Sequence, residues 1–440
     1  MDFLNDRPIK LLEDDNIEIK DFIKSFCNCI INSCGTNANL SIALCGKWGI
    51  GKTSIIKMSI NEIKKLNKPI IPFYYEAIEA NNNDLRDSFF SSFSNIFNKK
   101  KITKLLKLIY DSEIPDEIVN FINDKNYKLF GSAFNCLVRA YLASDFSTVY
   151  TSQEKINKLL NKSKIKYVIF IDNIDRFSPN SIKEFFTFVG SILDLSNITF
   201  VFAFDYKIVI DGITKSCGID GEDYIKKYFQ LIIDIPSISS RNMRDYLFSN
   251  ISSFLKENSV NFDVIKFNYL LKAILSDIST IRDAKRLLNL FYFEFDYFRN
   301  IISIPALLEI EYIKLIYPEL LNFISNYPDY FYGLNESFDK SLRANLDNEY
   351  NNLIKKIDNY DIEMLVDDMF PNKSKYFIQT SDDNSLEFDK KDNLVFYLRG
   401  VYSYKGLLFN DVNRFFESDD DINKYFLVYL NQIKLFLQII

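Results

Sequence analysis

The sequence predicts an α/β fold in which a parallel sheet is wound with helices on both faces. Three observations predict it. Short apolar runs at 41–45 (SIALC), 69–77 (PIIPFYYEA), 167–171 (YVIFI), 198–205 (ITFVFAFD) and 231–236 (LIIDIP) read as strands and alternate with helical stretches. The first run feeds a glycine-bearing loop, 46–54 (GKWGIGKTS), that opens directly into a helix. The run at 167–171 has the unbroken apolarity of a strand buried on both faces, and it ends on a carboxylate, Asp172.

In chain order, residues 1–37 read as an opening loop and one helix at about 17–32, with Ile19, Phe22, Ile23, Phe26 and Ile30 near helical spacing. Gly35 and the asparagines after it break the chain before the first strand. The loop that follows fits Gly-x-x-x-x-Gly-Lys-[Ser/Thr], with Gly46, Gly51, Lys52 and Thr53 at the fixed places. Glycine is scarce, twelve in all, yet Gly46, Gly49 and Gly51 fall within six residues. Glycines let successive N–H groups turn inward onto phosphate oxygens. The lysine reaches the β- and γ-phosphates and the threonine hydroxyl ligates Mg²⁺. Gly46, Lys47, Trp48, Gly49, Ile50, Gly51, Lys52, Thr53 and Ser54 are therefore the expected cradle for ATP, with the helix at 54–65 presenting its N-terminus to the anion.

The second strand, 69–77, contains Pro72, which points to an edge position. Asn81–Asn83 mark a loop, and residues 84–160 read as helical throughout. The run Lys99–Lys101 is a solvated helix end before it is a phosphate contact. Asp172 sits where open α/β sheets place their ligands, at a strand's C-terminal end, and is the expected Mg²⁺ carboxylate of a Walker B segment. Its alternative is a helix N-cap. A helix follows at 181–193. Asp205 either contacts the attacking water or caps the next helix. A strand between the two motifs in sequence suggests the additional-strand class of P-loop NTPases, in which a strand separates them in space.

From about 237 the chain turns helical. In 276–289 (SDISTIRDAKRLLN), Ser279 or Thr280 can cap a helix carrying Arg282, Lys285 and Arg286. In this class a small helical lid presents a basic residue to the γ-phosphate. Arg282 and Arg286 are the candidates, with a solvated charge as the alternative for each. Residues 326–440 are rich in Asn and Asp, with loops at 381–384 and 417–421 and no repeat of fixed period. The expected domains are a helical segment at 1–37, a core at 38–236 with its helical insertion at about 84–160, a lid at 237–325 and a mainly helical C-terminal region at 326–440.

Composition narrows the chemistry. With 440 residues, 48% hydrophobic and 25% charged, the chain is globular and long enough for two to four domains. A net charge of −6 and the lack of a basic, aromatic-interleaved stripe count against nucleic-acid binding. There is no histidine, so Ser-His-Asp and Cys-His catalysis, histidine-ligated zinc and histidine pH switching are excluded. Cys27, Cys29, Cys34, Cys45, Cys136 and Cys217 lack zinc spacing and read as free thiols of a reducing cytosol. The opening MDFLNDRP lacks the basic-then-apolar form of a signal peptide. No run approaches the ~18 apolar residues of a spanning helix. The closest, 425–440, is broken by Asn431, Gln432 and Lys434. The expectation is a cytoplasmic protein without a membrane span.

Several segments together resemble the KAP family of P-loop NTPases, relatives of the STAND and AAA+ NTPases. They are FLNDRPI (3–9), GKWGIGKTS, IDNIDRF (171–177), VFAFD (201–205), YIKKYFQLIIDIP (224–236), RDAKRLLN (282–289) and LLEIEYIKLIYPEL (307–320), spanning about residues 3–325. The resemblance implies an ATP-binding, ATP-hydrolysing switch, a lid that closes on nucleotide, protein partners or a homo-oligomer, and a role such as bacterial phage defence. Many members carry membrane helices between the two motifs; residues 84–160 show none and resemble the soluble branch. Members carry a second acid after the Walker B aspartate, whereas this chain has Asn173. An amide positions water but takes no proton. Lys52, Asp172, Asn173 and Asp175 are thus the catalytic candidates, with Asp175 either an alternative base or the cap of the next helix. The competing reading is a non-hydrolysing, nucleotide-bound scaffold. A ring would need an arginine reaching a neighbour's site, with Arg139, Arg176 and Arg244 as candidates.

Overall fold

The computed structural model describes residues 3–33, 40–77, 146–163, 165–190, 193–260, 264–299, 302–332, 340–357, 359–370, 394 and 397–398. Its chain divides into two compact units. One comprises Asp6–Tyr246 and Thr280–Arg282; the other comprises Met1–Asn5, Leu247–Ser279 and Asp283–Ile440.

The first unit opens with a 3-10 turn, Leu12–Asp14, and helix α1 (Lys20–Ser33). The Asp15 carboxylate accepts from the N–H groups of Ile17, Ile19 and Lys20 at 2.8–3.1 Å, satisfying donors that the start of α1 leaves unpaired. Strand β1 (Leu40–Cys45) runs into the glycine loop and helix α2 (Lys52–Lys64). Then come β2 (Ile70–Glu76), α3 (Phe146–Ser163), β3 (Lys166–Asp172), a 3-10 turn (Ile174–Arg176) and α4 (Pro179–Gly190). Strand β4 (Ile198–Phe204), helices α5 (Tyr206–Cys217) and α6 (Gly221–Lys226) and strand β5 (Leu231–Asp234) complete the sheet.

The five strands pair in parallel in the order β2-β3-β4-β1-β5. The strand between the glycine-loop strand and the Asp172 strand is therefore β4, which follows both motifs in sequence. The strand at 70–76, which lies between them in sequence, sits at the edge beyond β3. That agrees with Pro72, whose missing N–H is tolerated on an edge.

Strand alternation sends side chains to two cores. Ala43, Tyr167, Ile169, Ile171, Phe200, Phe202 and Phe204 pack beneath α3, α4 and α5 with Phe186 and Phe229. Ile42, Leu44, Val168, Phe170, Val201 and Ala203 pack against Ile23 and Phe26 of α1 and Ile55 and Ile56 of α2. Both faces are thus covered, as the apolar runs required.

The chain continues in helices α7 (Ser240–Glu257), α8 (Val264–Asp277), α9 (Ile281–Phe298), α10 (Ile304–Ile316), α11 (Pro318–Asn326), α12 (Pro328–Phe331), α13 (Lys340–Ile357) and α14 (Tyr360–Met369). In the second unit, Phe254 stacks on Tyr292 at 4.2 Å and meets Phe295 edge-on at 4.8 Å. The Asp277 carboxylate accepts from the hydroxyls of Tyr312 and Tyr317 and from the Asn359 amide. Glu311 is fully buried, accepts from the Tyr397 hydroxyl at 2.6 Å and pairs with Lys314 at 3.4 Å; Lys314 also reaches the buried Glu294 at 3.2 Å.

Among the described residues the free cysteines are Cys27 and Cys45, both buried, and Cys29 and Cys217, partly exposed. No helix among them is long and apolar enough to cross a membrane. The expectations for Asn81–Asn83, Lys99–Lys101, the insertion over 84–145, Arg139, Cys34, Cys136, the loops at 381–384 and 417–421 and the apolar stretch at 425–440 lie outside the described residues.

Candidate functional site

The glycine loop leaves β1 at Cys45, and the Gly46 N–H donates to the Phe204 carbonyl at 3.2 Å, tying the loop to β4. Gly49 (φ +89°) and Gly51 (φ +105°) occupy left-handed backbone conformations that L side chains rarely adopt. At Gly46 the reason for glycine is space, because an added Cβ would stand 2.8 Å from Ile50 Cγ2. Gly51 immediately precedes α2, whose first-turn N–H groups have no partner four residues back. Such a terminus favours an anion through its unpaired donors and its dipole.

Lys52 is 8% exposed. Its ammonium donates to the Gly46 carbonyl at 2.8 Å and the Lys47 carbonyl at 3.4 Å, and it pairs with Asp175 at 3.3 Å. Asp175 has a second tie, accepting from the Asp205 N–H at 2.8 Å. It therefore bridges the loop lysine to the end of β4. The following helix, α4, has the Ser178 hydroxyl as acceptor for the Ser181 N–H. Asp205 itself accepts from the N–H groups of Lys207 and Ile208 at the start of α5, which is the helix-cap alternative.

Asp172, the last residue of β3, is fully buried. Its Oδ2 accepts from the Thr53 hydroxyl at 2.6 Å and the Tyr74 hydroxyl at 3.3 Å; its Oδ1 accepts from the Asn173 N–H at 2.9 Å. Burial holds its carboxyl above the ordinary range, against the opposing pull of the Thr53 and Asn173 hydrogen bonds and the Lys52 charge. A buried carboxylate beside a hydroxyl is the hard oxygen donor set of Mg²⁺, which takes one or two protein oxygens and fills the rest with water and phosphate. The residues present fit that ion.

Asn173 adopts φ +68°, a left-handed conformation that asparagine tolerates. Its amide donates to Glu76 Oε1 at 2.9 Å. Glu76 and Tyr74 were not singled out from the sequence. Strand alternation puts both on one face of β2, but the β2–β3 register that sets them beside Asp172 is a long-range fact. Burial raises the Tyr74 hydroxyl well above its ordinary pKa, so it remains a donor, and the Lys57 ammonium lies 5.5 Å from its ring centre.

The remaining expected residues fall as follows. Lys47 and Trp48 are exposed on the loop, and Ile50 is buried. The Arg282 guanidinium lies 5.6 Å from the Trp48 ring and pairs with Asp6 at 2.8 Å. A Cβ on Gly49 would stand 3.1 Å from both Arg282 Cβ and Thr280 Oγ1, so the loop tip packs on the segment carrying Arg282. Arg286 is exposed and pairs with Asp283 at 3.7 Å. The Ser54 hydroxyl accepts from the Ile9 N–H. Arg176 is exposed, and Arg244 contacts Asp245.

The description "KAP family P-loop domain" matches this chain over residues 19–305. The phage T7 exclusion protein of Escherichia coli (strain K12) is 19% identical over 314 residues, which cover 64% of this chain. The match spans 42% of that protein's own length. Among solved structures, the Aeropyrum pernix ORC2 protein aligns over 84% of this chain and 97% of its own, at 11% identity and a TM-score of 0.37. AMPPCP-bound DnaA from Aquifex aeolicus aligns over 85% and 100%, at 12% identity and a TM-score of 0.29.

Proposed function

The chain belongs to the KAP family of P-loop NTPases, and from that premise we propose that it binds ATP with Mg²⁺ and hydrolyses it, using the nucleotide state as a switch. The observation that carries this is the 2.6 Å hydrogen bond between Thr53 and Asp172, which joins the two motifs under a loop whose glycines hold a phosphate-binding shape. Thr53 and Asp172 would hold the metal, whose charge offsets that on the β- and γ-phosphates. The N–H groups of Gly49 to Thr53 would bind phosphate oxygens. The Lys52 ammonium would exchange the Gly46 and Lys47 carbonyls for phosphate. Arg282, packed on the loop tip, is the stronger of the two basic candidates.

The switch would be read by protein partners or by further copies of this chain in the cytoplasm. The E. coli relative is a phage exclusion protein, and phage defence is the corresponding proposal here. Trp48 is the only tryptophan and stands on the loop, 64% exposed. Its fluorescence should change on titration with ATP and Mg²⁺, and Lys52→Ala should weaken that response by at least about 100-fold, the scale of a lost charge-assisted contact. A flat titration of folded protein would remove the nucleotide reading.

Asn173 supports a second reading, a scaffold that holds nucleotide without turnover. Phosphate release from bound ATP separates the two.

A further inference from the structure

We propose that Glu76, at the end of edge strand β2, is the carboxylate that takes the proton from the attacking water, with Asn173 as the positioning residue that holds it. This rests on the ATP-hydrolysis reading above.

A carboxylate that orients the attacking water and takes its proton speeds hydrolysis. Among the described carboxylates around Asp172, the others are tied to the metal-binding hydroxyl, to the loop lysine or to a helix start, or stand farther across the sheet. Asp172 is fully buried and accepts three hydrogen bonds, one from the hydroxyl with which it would share the metal. Asp175 is 9% exposed in its side chain and is held by Lys52 and the Asp205 N–H. Asp205 accepts from two N–H groups at the start of α5 through Oδ1, and it follows β4 rather than lying on β2, whose Glu76 pairs directly with Asp172. Asp234 ends β5, on the far side of β1 from β3.

Glu76 combines exposure with a place directly beside Asp172. It is exposed, so water reaches it. It is the direct register partner of Asp172 across the β2–β3 ladder, and the Ala77 N–H extends that ladder onto the Asp172 carbonyl at 2.9 Å. It thus stands at the C-terminal rim of the parallel sheet, where ligands bind. Tyr74, two residues earlier on the same face of β2, already reaches Asp172 with its hydroxyl. The Asn173 amide fixes Glu76 Oε1 and leaves the other carboxylate oxygen for water. Asn173 is itself 8% exposed, and its left-handed backbone aims the amide back at β2. The residue after Asp172 is an amide in this chain, and a carboxylate comes from the adjacent strand.

In the step, the water oxygen forms a bond to the γ-phosphorus as the bond to the β–γ bridging oxygen breaks. The electron pair leaves with ADP. The water's proton passes to the Glu76 carboxylate, and its later loss to solvent with inorganic phosphate restores the site.

The test uses the full chain, ATP with Mg²⁺, Trp48 fluorescence for binding and single-turnover phosphate release for chemistry. Glu76→Gln is expected to bind ATP within about twofold of wild type and to release phosphate at least ~100-fold more slowly, the usual contribution of a general base. The double exchange Glu76→Gln with Asn173→Asp keeps an amide–carboxylate bond with its members exchanged. It should recover at least about tenfold over Glu76→Gln, which a structural role for the pair would not produce. Turnover in Glu76→Gln within about threefold of wild type would overturn the assignment and leave the ATPase reading standing. Loss of ATP binding in Glu76→Gln would also overturn it, since the residue would then serve binding. Wild-type protein that binds ATP without releasing phosphate would overturn the assignment together with hydrolysis.

Discussion

Asp172 concentrates the tension of the site in one side chain. It is fully buried and carries its charge against a desolvation cost that raises its pKa above the ordinary 3.8. For a carboxylate raised in this way, the stabilisation belongs to the protonated form. It is complete below the unfolded pKa and is lost as pH rises through the folded one. Near neutral pH the ionised group therefore costs stability that a bound cation would return. Asp172→Asn should leave the ligand-free protein as stable as wild type at pH 7, or up to about 1 kcal/mol more stable, while abolishing the Mg²⁺-dependent part of the Trp48 response. A melting temperature clearly below wild type would show that the charge is stabilising as it stands. At this scale the sequence was most readable where chemistry follows local spacing. Gly46, Gly51, Lys52 and Thr53 sit at fixed offsets, and Asp172 ends an apolar run. Glu76 was not readable, because its partner lies 97 residues away and only strand register brings the two together. The bond from Asp175 to the Asp205 N–H is hidden for the same reason.

The elements were legible in kind and less so in order. Pro72 marked β2 as an edge, and the runs at 167–171 and 198–205 announced buried strands. Which strand divides the two motifs could not follow from their succession, since β4 is placed by pairing with β1 and β3 together. Its aromatic face explains why it belongs at the centre. Phe200, Phe202 and Phe204 are fully buried, and Phe202 lies 5.2 Å from Phe229 and 6.3 Å from Phe186. Edge-on and tilted ring pairs of this kind add to the stabilisation from area buried. Phe202→Ala should lower unfolding free energy by about 3–5 kcal/mol in urea titration, because close-packed neighbours cannot collapse into the cavity. A loss below about 1 kcal/mol would mean that this core is loosely filled.

At the scale of the whole molecule, each unit carries its own buried polar network. In the unit containing α9 and α10, Lys314 serves two buried carboxylates, Glu294 and Glu311. Burial raises the Glu311 carboxyl above its ordinary range, with Lys314 the largest opposing influence. Lys314→Met removes that opposition, so it should cost about 2 kcal/mol near pH 8, less than the ~3–5 kcal/mol of a fully buried pair because the ammonium is 36% exposed. The loss should shrink near pH 5 as Glu311 takes up a proton, and urea titration at both pH values reads the difference. A pH-independent loss would place the effect in packing alone. The thiols divide along similar lines. Burial, reinforced by the Asp234 charge, pushes Cys45 up to about 12, and burial pushes Cys27 up to about 11, so neither supplies thiolate at physiological pH. Cys45 adjoins the glycine loop, and its inertness shields that loop from alkylating reagents and peroxide. Among the described residues, Cys29 and Cys217 are partly exposed and offer handles for attaching a dye away from Cys45.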